Sequence, residues 1–376
     1  MKSDRTIKHI VVLPGDGIGP EVTRQAIKVL EAVTQNSTFS FKLSYASIGA
    51  EAINLTGMAL PDKTLDLCKQ ADAVLLGAIG DPYFDHRPEL KVRPEQGLLQ
   101  LRKSLGLFSN IRPVSYYEAS AHLSPVRKDR IRNFDLVILR ELTGGIYFGE
   151  KKEDNEALYA SDLCEYHRHE IERIAKMAFE YAGKRRGKLT LVDKANVLAT
   201  SRLWRKVVQE MSSSYPEIEV DYMFVDNAAM QLMLCPAQFD VILTENMFGD
   251  ILSDEASVLS GSLGLLPSAS IGEKYALFEP VHGSYPQAKG KDIANPVASI
   301  LSIAMLLDHF GMDAEADQIR LAVKWSMDNS FVTKDLDPVN FQNTSVVGDL
   351  IAAHLQDHPS PTMDQQVVHL GKSSII

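Results

Sequence analysis

Residues 170–193 read Glu170-Ile171-Glu172-Arg173-Ile174-Ala175-Lys176-Met177-Ala178-Phe179-Glu180-Tyr181-Ala182-Gly183-Lys184-Arg185-Arg186-Gly187-Lys188-Leu189-Thr190-Leu191-Val192-Asp193. Ile171, Ile174, Ala175, Ala178, Phe179 and Ala182 recur at i, i+3, i+4, i+7, i+8 and i+11, which makes one buried face of a helix ending at Gly183. Residues 188–193 then form a short apolar run that suits a strand covered on both faces. Ile10–Leu13, Ala73–Leu76 and Leu136–Leu139 are similar runs, and the alternation continues as helix 201–211, strand 219–225 and strand 239–244. Alternating strands and helices predict an α/β protein with largely parallel sheets. The basic run 184–188 sits at the predicted helix end, where cations meet the negative end of the helix dipole.

The chain has 376 residues, 45% apolar and 23% charged, with a net charge of -10. At roughly 150 residues per domain, that length predicts two or three lobes with a large core. The acidic balance argues against nucleic acid or an anionic membrane as a partner, because both demand a basic surface. No stretch has the roughly 18 uninterrupted apolar residues of a membrane span, and the N-terminus lacks a signal-peptide pattern. Cys68, Cys164 and Cys235 are widely spaced and odd in number, which predicts unpaired, buried thiols and a cytoplasmic protein. From about residue 357 the chain turns polar and proline-rich, and no regular element is expected there.

Leu13-Pro14-Gly15-Asp16-Gly17-Ile18-Gly19-Pro20-Glu21 joins a strand to a helix, but its G-x-G-x-G spacing is not the dinucleotide-binding fingerprint. A structural turn, or a loop touching a ligand in another way, is the better reading. Arg102 and Arg112 lie in the stretch Glu95–Pro113, and Arg140 follows the strand 136–139, at the end where α/β proteins bind ligands. Any one of them alone is an ordinary surface ion pair, while three together suit a small dicarboxylate. Asp250 and Asp254 lie four apart, so on a helix they share a face and require something positive between them. With Asp226, placed at the end of the strand carrying Val220, Tyr222 and Phe224, they would make an all-oxygen set suited to Mg²⁺ or Mn²⁺. The alternative is a solvated acidic face. Lys194, after the strand 189–193, is either a base or an exposed lysine, and Tyr147, between glycines, is either a proton donor or an interface aromatic.

In order along the chain, the blocks Leu13–Glu21, Glu95–Pro113, Arg140–Gly149, Asp193–Val197, Asn246–Glu255 and Glu279–Ser284 make it resemble the β-decarboxylating dehydrogenases of the isocitrate and isopropylmalate family, from about Ile10 to Asp349. The resemblance implies a two-lobed fold of largely parallel sheets that is not a Rossmann fold. Residues 1–107 and 261–376 would form the first lobe. Residues 108–260 would form the second, with an arm near 143–165 and the contacts of a homodimer whose active sites, in the cleft between lobes, are shared by both subunits. Arg102, Arg112 and Arg140 would hold the substrate carboxylates, and Asp250 and Asp254, with Asp226 of the other chain, would bind Mg²⁺ or Mn²⁺. Lys194 of the other chain would take the C2 hydroxyl proton, and Tyr147 would protonate the enolate left by decarboxylation. Asn196 falls in the same substrate-side block as Lys194.

Glu95, Leu98 and Leu99, with Val197 of the other chain, match positions that face a branched alkyl group. An isocitrate-type relative has a serine near Leu98, and burying its extra carboxylate against leucines would cost several kcal/mol. The resemblance therefore implies the isopropylmalate branch and leucine biosynthesis, with D-malate or tartrate oxidation, or a non-catalytic metal- and dicarboxylate-binding relative, as alternatives. Ile18, Leu263, Gly264, Glu279, His282, Gly283, Ser284, Tyr285, Pro286, Gln287 and Asn295 match cofactor neighbours, and the cofactor implied is NAD. The chain departs from the family at Tyr285 and Gln287, where alanine and a ribose-binding aspartate are usual.

Overall fold

The computed structural model describes residues 6–357 except 86, 88, 155 and 157, so the polar tail beyond 357 lies outside the described residues. The chain divides into two compact units, one of residues 1–107, 117–123 and 260–376 and the other of residues 108–116 and 124–259. The first begins with β1 (Thr6–Gly15), α1 (Gly19–Val33), β2 (Phe39–Tyr45), α2 (Gly49–Thr56), α3 (Asp62–Lys69), β3 (Ala73–Ala78), α4 (Pro82–Asp85) and α5 (Pro94–Ser104). The second contains β4 (Ser109–Ser115), α6 (Lys128–Ile131), β5 (Asp135–Glu141), β6 (Lys151–Glu153), β7 (Ala160–Asp162), α7 (Arg168–Gly183), β8 (Lys188–Asp193), α8 (Ala199–Ser212), β9 (Glu219–Phe224), α9 (Val225–Leu234), β10 (Val241–Thr244) and α10 (Asn246–Ser257). The first is then completed by β11 (Pro267–Ile271), β12 (Ala276–Pro280), α11 (Val297–His309), α12 (Asp313–Asp328) and α13 (Thr344–Asp357).

In the first unit the strands run in the order β2-β1-β3-β12-β11, parallel except that β11 and β12 are antiparallel. In the second the order is β4-β5-β10-β8-β9, with β4 antiparallel to β5 and the rest parallel. The apolar runs are buried as their composition demands: every residue of β3 and β10 is buried, as are Ile10–Leu13 and Leu136–Leu139. α7 buries Ile171, Ile174, Ala175, Ala178, Phe179 and Ala182, the face its periodicity marks out. Within residues 143–165, β6 and β7 pair as a short antiparallel hairpin.

Three local readings change. Asp226 does not end a strand; it lies in the first turn of α9, because β9 stops at Phe224. The cysteines are unpaired, but only Cys68 is buried, whereas Cys164 is half-buried and Cys235 exposed. The basic run meets carboxylates as well as a helix end. Arg185 donates to the buried Asp240 at 2.8 Å and lies 3.0 Å from Asp135, and the Arg186 amide donates to Asp240 at 2.8 Å. Guanidinium and backbone-amide donors together satisfy this interior acid.

The glycine loop has a structural job. Gly17 has φ +58°, and a Cβ there would lie 1.9 Å from the Ser284 carbonyl oxygen, which also accepts the Ile18 amide at 2.8 Å. No residue with a side chain fits that approach. Asp16, nearly buried, accepts the amides of Ala50, Glu51 and Gly80, which ties β1 to the start of α2 and the end of β3. Burial raises its pKa, and these three bonds oppose the rise. Among the described residues no helix is long and apolar enough to cross a membrane.

Candidate active site

In the second unit, sequence-distant residues converge where β5 ends and α10 begins. Asp250 and Asp254 share a face of α10, and Arg112 from β4 lies against both, with Nη1 3.1 Å from Asp254 and Nη2 3.9 Å from Asp250. The positive group demanded by two acids four apart is thus present. Arg140, buried at the end of β5, pairs through Nη1 with Asp250. Its side chain lies flat on α10 because residue 249 is glycine: a Cβ there would stand 2.6 Å from Arg140 Cγ. Tyr147 donates its hydroxyl to Asp250 Oδ2 at 3.0 Å, and the Arg140 guanidinium sits 5.7 Å from its ring. Burial, and then the hydrogen bond to Asp250, raise the Tyr147 phenol above its usual range, keeping it protonated.

Several supports for this cluster escaped the sequence reading. Glu141, fully buried, accepts the Thr143 and Gly144 amides and the Thr143 hydroxyl, and Arg173 lies 3.3 Å away. It thereby folds the turn leading to Tyr147. Gly144 and Gly145 pack on Tyr166, whose ring leaves no room for a Cβ at either position. Asn246, Asn110 and Ser253 hold the arginines: Asn246 accepts from Arg140, Asn110 from Arg112 Nε at 2.7 Å, and Ser253 from Arg112 Nη1 at 2.6 Å. Asn246 and Ser253 stand in the same motif as the two acids, a signal that could have found them. Asn110 faces Arg140 across the β4–β5 register, which periodicity does not reveal.

Lys194 and Asp226 form a separate pair. Lys194 Nζ lies 2.9 Å from Asp226 Oδ2 and holds that exposed carboxyl below its usual range. The turn beneath is rigid: buried Asp193 accepts the Ala195 amide and a two-bond Arg205 fork at 2.8 Å, while Arg202 clasps the Ala195 and Val197 carbonyls. Asn196 and Val197 are exposed on it. Among the described residues, no group of three His, Cys, Asp or Glu side chains within one chain could hold a metal. Asp250 and Asp254 nevertheless offer the hard oxygen donors that Mg²⁺ or Mn²⁺ accepts.

In the first unit, Arg102 on α5 lies 2.6 Å from Glu279 at the end of β12, and its Nε is buried without a partner among the described residues. On the same helix Glu95 and Leu99 are exposed, while Leu98 leans on the core that contains Leu101 and Leu105. The candidate cofactor residues divide by exposure. Ile18 is buried against Val22, Ala288 and Ala294. Gly264 abuts Asn295, whose amide is committed to the Val297 N–H at 3.0 Å and to Asp335 at 3.0 Å. Ser284 is buried, and its carbonyl holds the glycine loop. Leu263, Gly283, Tyr285 and Gln287 are exposed, and Pro286 is half-buried. His282 Nδ1 lies 2.9 Å from the Gly283 carbonyl oxygen, while Nε2 is buried without a partner among the described residues, and burial lowers the imidazole pKa. That unpaired ring nitrogen, beside exposed residues, fits a ligand with polar groups such as a dinucleotide.

Residues 9–351 match the isocitrate/isopropylmalate dehydrogenase family. A 3-isopropylmalate dehydrogenase of Bacteroides fragilis is 56% identical over 327 residues, covering 87% of this chain and 92% of that protein. One of Moorella thermoacetica is 51% identical over 354 residues, covering 93% and 99% respectively. Among solved structures, an isocitrate dehydrogenase from Methylococcus capsulatus superposes with a TM-score of 0.83 at 36% identity, covering 93% of this chain and 99% of that one. The helix that aligns two acids with two arginines, the tyrosine turn beside it and the lysine after β8 thus occur in a chain that belongs to the isocitrate/isopropylmalate dehydrogenase family.

Proposed function

We propose that the protein oxidatively decarboxylates 3-isopropylmalate to 2-oxoisocaproate with reduction of NAD, as a step of leucine biosynthesis in the cytoplasm. The observation that carries this reading is the cluster of Arg112, Arg140, Tyr147, Asp250 and Asp254, which joins carboxylate binding, proton donation and hard-cation ligation, in a chain 56% identical to a protein of that name. The leucines supply the choice among relatives. Leu98 and Leu99 offer alkyl surface at the substrate's side chain, and burying a further carboxylate against them would cost several kcal/mol.

Asp226 sits with Lys194 instead of joining Asp250 and Asp254, which supports a homodimer whose second copy supplies Lys194, Asn196, Val197 and Asp226. Arg102, Arg112 and Arg140 hold the malate carboxylates. Asp250 and Asp254, with Asp226 of the second copy, would hold a divalent cation that would supply Lewis-acid polarisation, and a bound nicotinamide would supply the hydride acceptor. Lys194 accepts at Nζ the proton of the C2 hydroxyl as C2 is oxidised. When the β-carboxylate departs as CO₂, its bonding pair remains on the adjacent carbon, and the Tyr147 hydroxyl delivers a proton there. The exposed Gly283, Tyr285 and Gln287, with His282 beneath them, would hold the adenosine end of the cofactor. Gln287 hydrogen-bonds the ribose in place of an aspartate.

The test is NADH formation from D-threo-3-isopropylmalate with and without Mn²⁺, beside NADP⁺, D-malate and isocitrate. Metal-dependent reduction of NAD⁺ with isopropylmalate far ahead is expected. A lead for D-malate would overturn the alkyl pocket, a lead for NADP⁺ the role of Gln287, and no turnover at all would favour a non-catalytic dicarboxylate-binding relative.

A further inference from the structure

We propose that Asn246 is a positioning residue that fixes the Arg140 guanidinium and the Gly145–Tyr147 turn in one geometry, so that carboxylate binding and proton delivery rest on a single neutral side chain. The inference builds on the dehydrogenase reading above. Asn246 is the first residue of α10 and is 1% exposed. Its Oδ1 accepts from Arg140 Nε at 3.0 Å and Nη2 at 2.9 Å, while its Nδ2 donates to the Gly144 carbonyl at 3.1 Å. Its backbone amide donates to the Tyr166 hydroxyl at 3.0 Å, which anchors the residue itself.

An amide oxygen has two lone pairs, and here both meet the planar guanidinium, whose rotation they block. The same side chain keeps a donor for Gly144, the residue that immediately precedes the Gly145–Tyr147 turn. Charge is the second point. A carboxylate in this place would orient Arg140 equally well but would cancel, inside a low-dielectric site, the charge that attracts a dicarboxylate. Arg112 repeats the arrangement, since its Nε is held by the buried amide of Asn110. Both arginines are therefore gripped along one edge by an uncharged oxygen.

The test is a double-mutant cycle on the full-length enzyme. Asn246→Asp keeps the shape and the acceptor, removes the donor to Gly144 and adds charge against Arg140. It should raise KM for 3-isopropylmalate about tenfold or more and lower kcat about tenfold, with a Tm within a few degrees of wild type. In a Tyr147→Phe background the kcat loss should vanish, because the step it disturbs is already gone, while the KM rise persists. Equal kcat losses in both backgrounds, as a merely structural role predicts, would overturn the proposal, and so would an unchanged KM. If the aspartate variant does not fold, Asn246→Ala goes through the same cycle with the same non-additivity expected. A wild type that binds isopropylmalate without converting it defeats the catalytic reading instead. Calorimetry then decides this one: Asn246→Asp must still weaken binding about tenfold, and unchanged affinity overturns it.

Discussion

Lys194→Ala should lower kcat by about a thousandfold while leaving the fold intact, because general-base catalysis contributes about 10² to 10⁴ and the side chain does little for stability. Beyond Cβ, Lys194 meets Asp226, whose side chain is 66% exposed, and ion pairs of that kind contribute well under about 1 kcal/mol. The turn itself is held by other groups: the Lys194 amide donates to Ser201 Oγ at 3.1 Å, and Asp193 and Arg205 lock the strand end. The measurement pairs steady-state turnover with thermal unfolding. Full activity in the variant would remove Lys194 from the mechanism. A large fall in Tm would show that the lysine works through the fold.

The second large effect is on stability and concerns Glu245, the residue capping α10. It is 4% exposed, and its Oε2 is buried with no partner among the described residues. Burial, and then the buried Asp193 carboxylate, raise its pKa from 4.5 to about 7. Asp193 has its own cation in Arg205, whereas Glu245 has no ion-pair partner among the described residues, so the protonated acid is the comfortable form. The sign follows from linkage. Below pH 4.5 the group is protonated in folded and unfolded chains alike. Between pH 4.5 and about 7 the unfolded chain has already released the proton that the folded chain keeps, so stability falls as pH rises. At about 1.4 kcal/mol per pH unit the loss reaches about 3 kcal/mol and then levels off. Glutamine does not titrate, so Glu245→Gln should gain on wild type by that amount between pH 4.5 and about pH 8. Urea unfolding of both proteins across this range measures it, and a difference that stays flat with pH would refute the argument.

How much of this was legible depends on how far apart the interacting residues stand. Features written within one element could be read directly: the buried face of α7, the doubly covered strands, and Asp250 and Asp254 on one helical face that required a cation. The identity of that cation as Arg112 depends on β4 lying beside β5 and on the direction of the side chain, neither of which spacing encodes. Asn110, by contrast, meets Arg112 two residues along the same strand, a contact that strand alternation allows but that reads as an ordinary side-chain neighbour until the arginine's partners are known. Glu141 reads as an ordinary acid after a strand, and only the turn of residues 142–145 closing over it reveals a carboxylate satisfied by backbone amides. The glycines of residues 15–19 were seen as a loop signal, but the reason for Gly17 is a carbonyl oxygen 267 positions later in the chain, that of Ser284. Family resemblance supplied roles for Lys194, Tyr147 and the cofactor loop that residue spacing had left open.

The mounting of residues 282–290 bears on how such an enzyme can change. On one side β12 is buried at every position, and on the other α11 is buried from Val297 to Asp308. Between them Gly283, Tyr285, Gln287 and Lys289 reach the surface. Substitution at these tips disturbs no core packing, so mutation can sample new exposed side chains while the scaffold keeps its folding free energy. Tyr285 shows the latitude: a bulky residue occupies left-handed backbone at φ +40°, a strain of about 1 kcal/mol that a frame this solid absorbs. If these tips hold the cofactor as proposed, selection on cofactor preference would act there almost independently of selection on foldability.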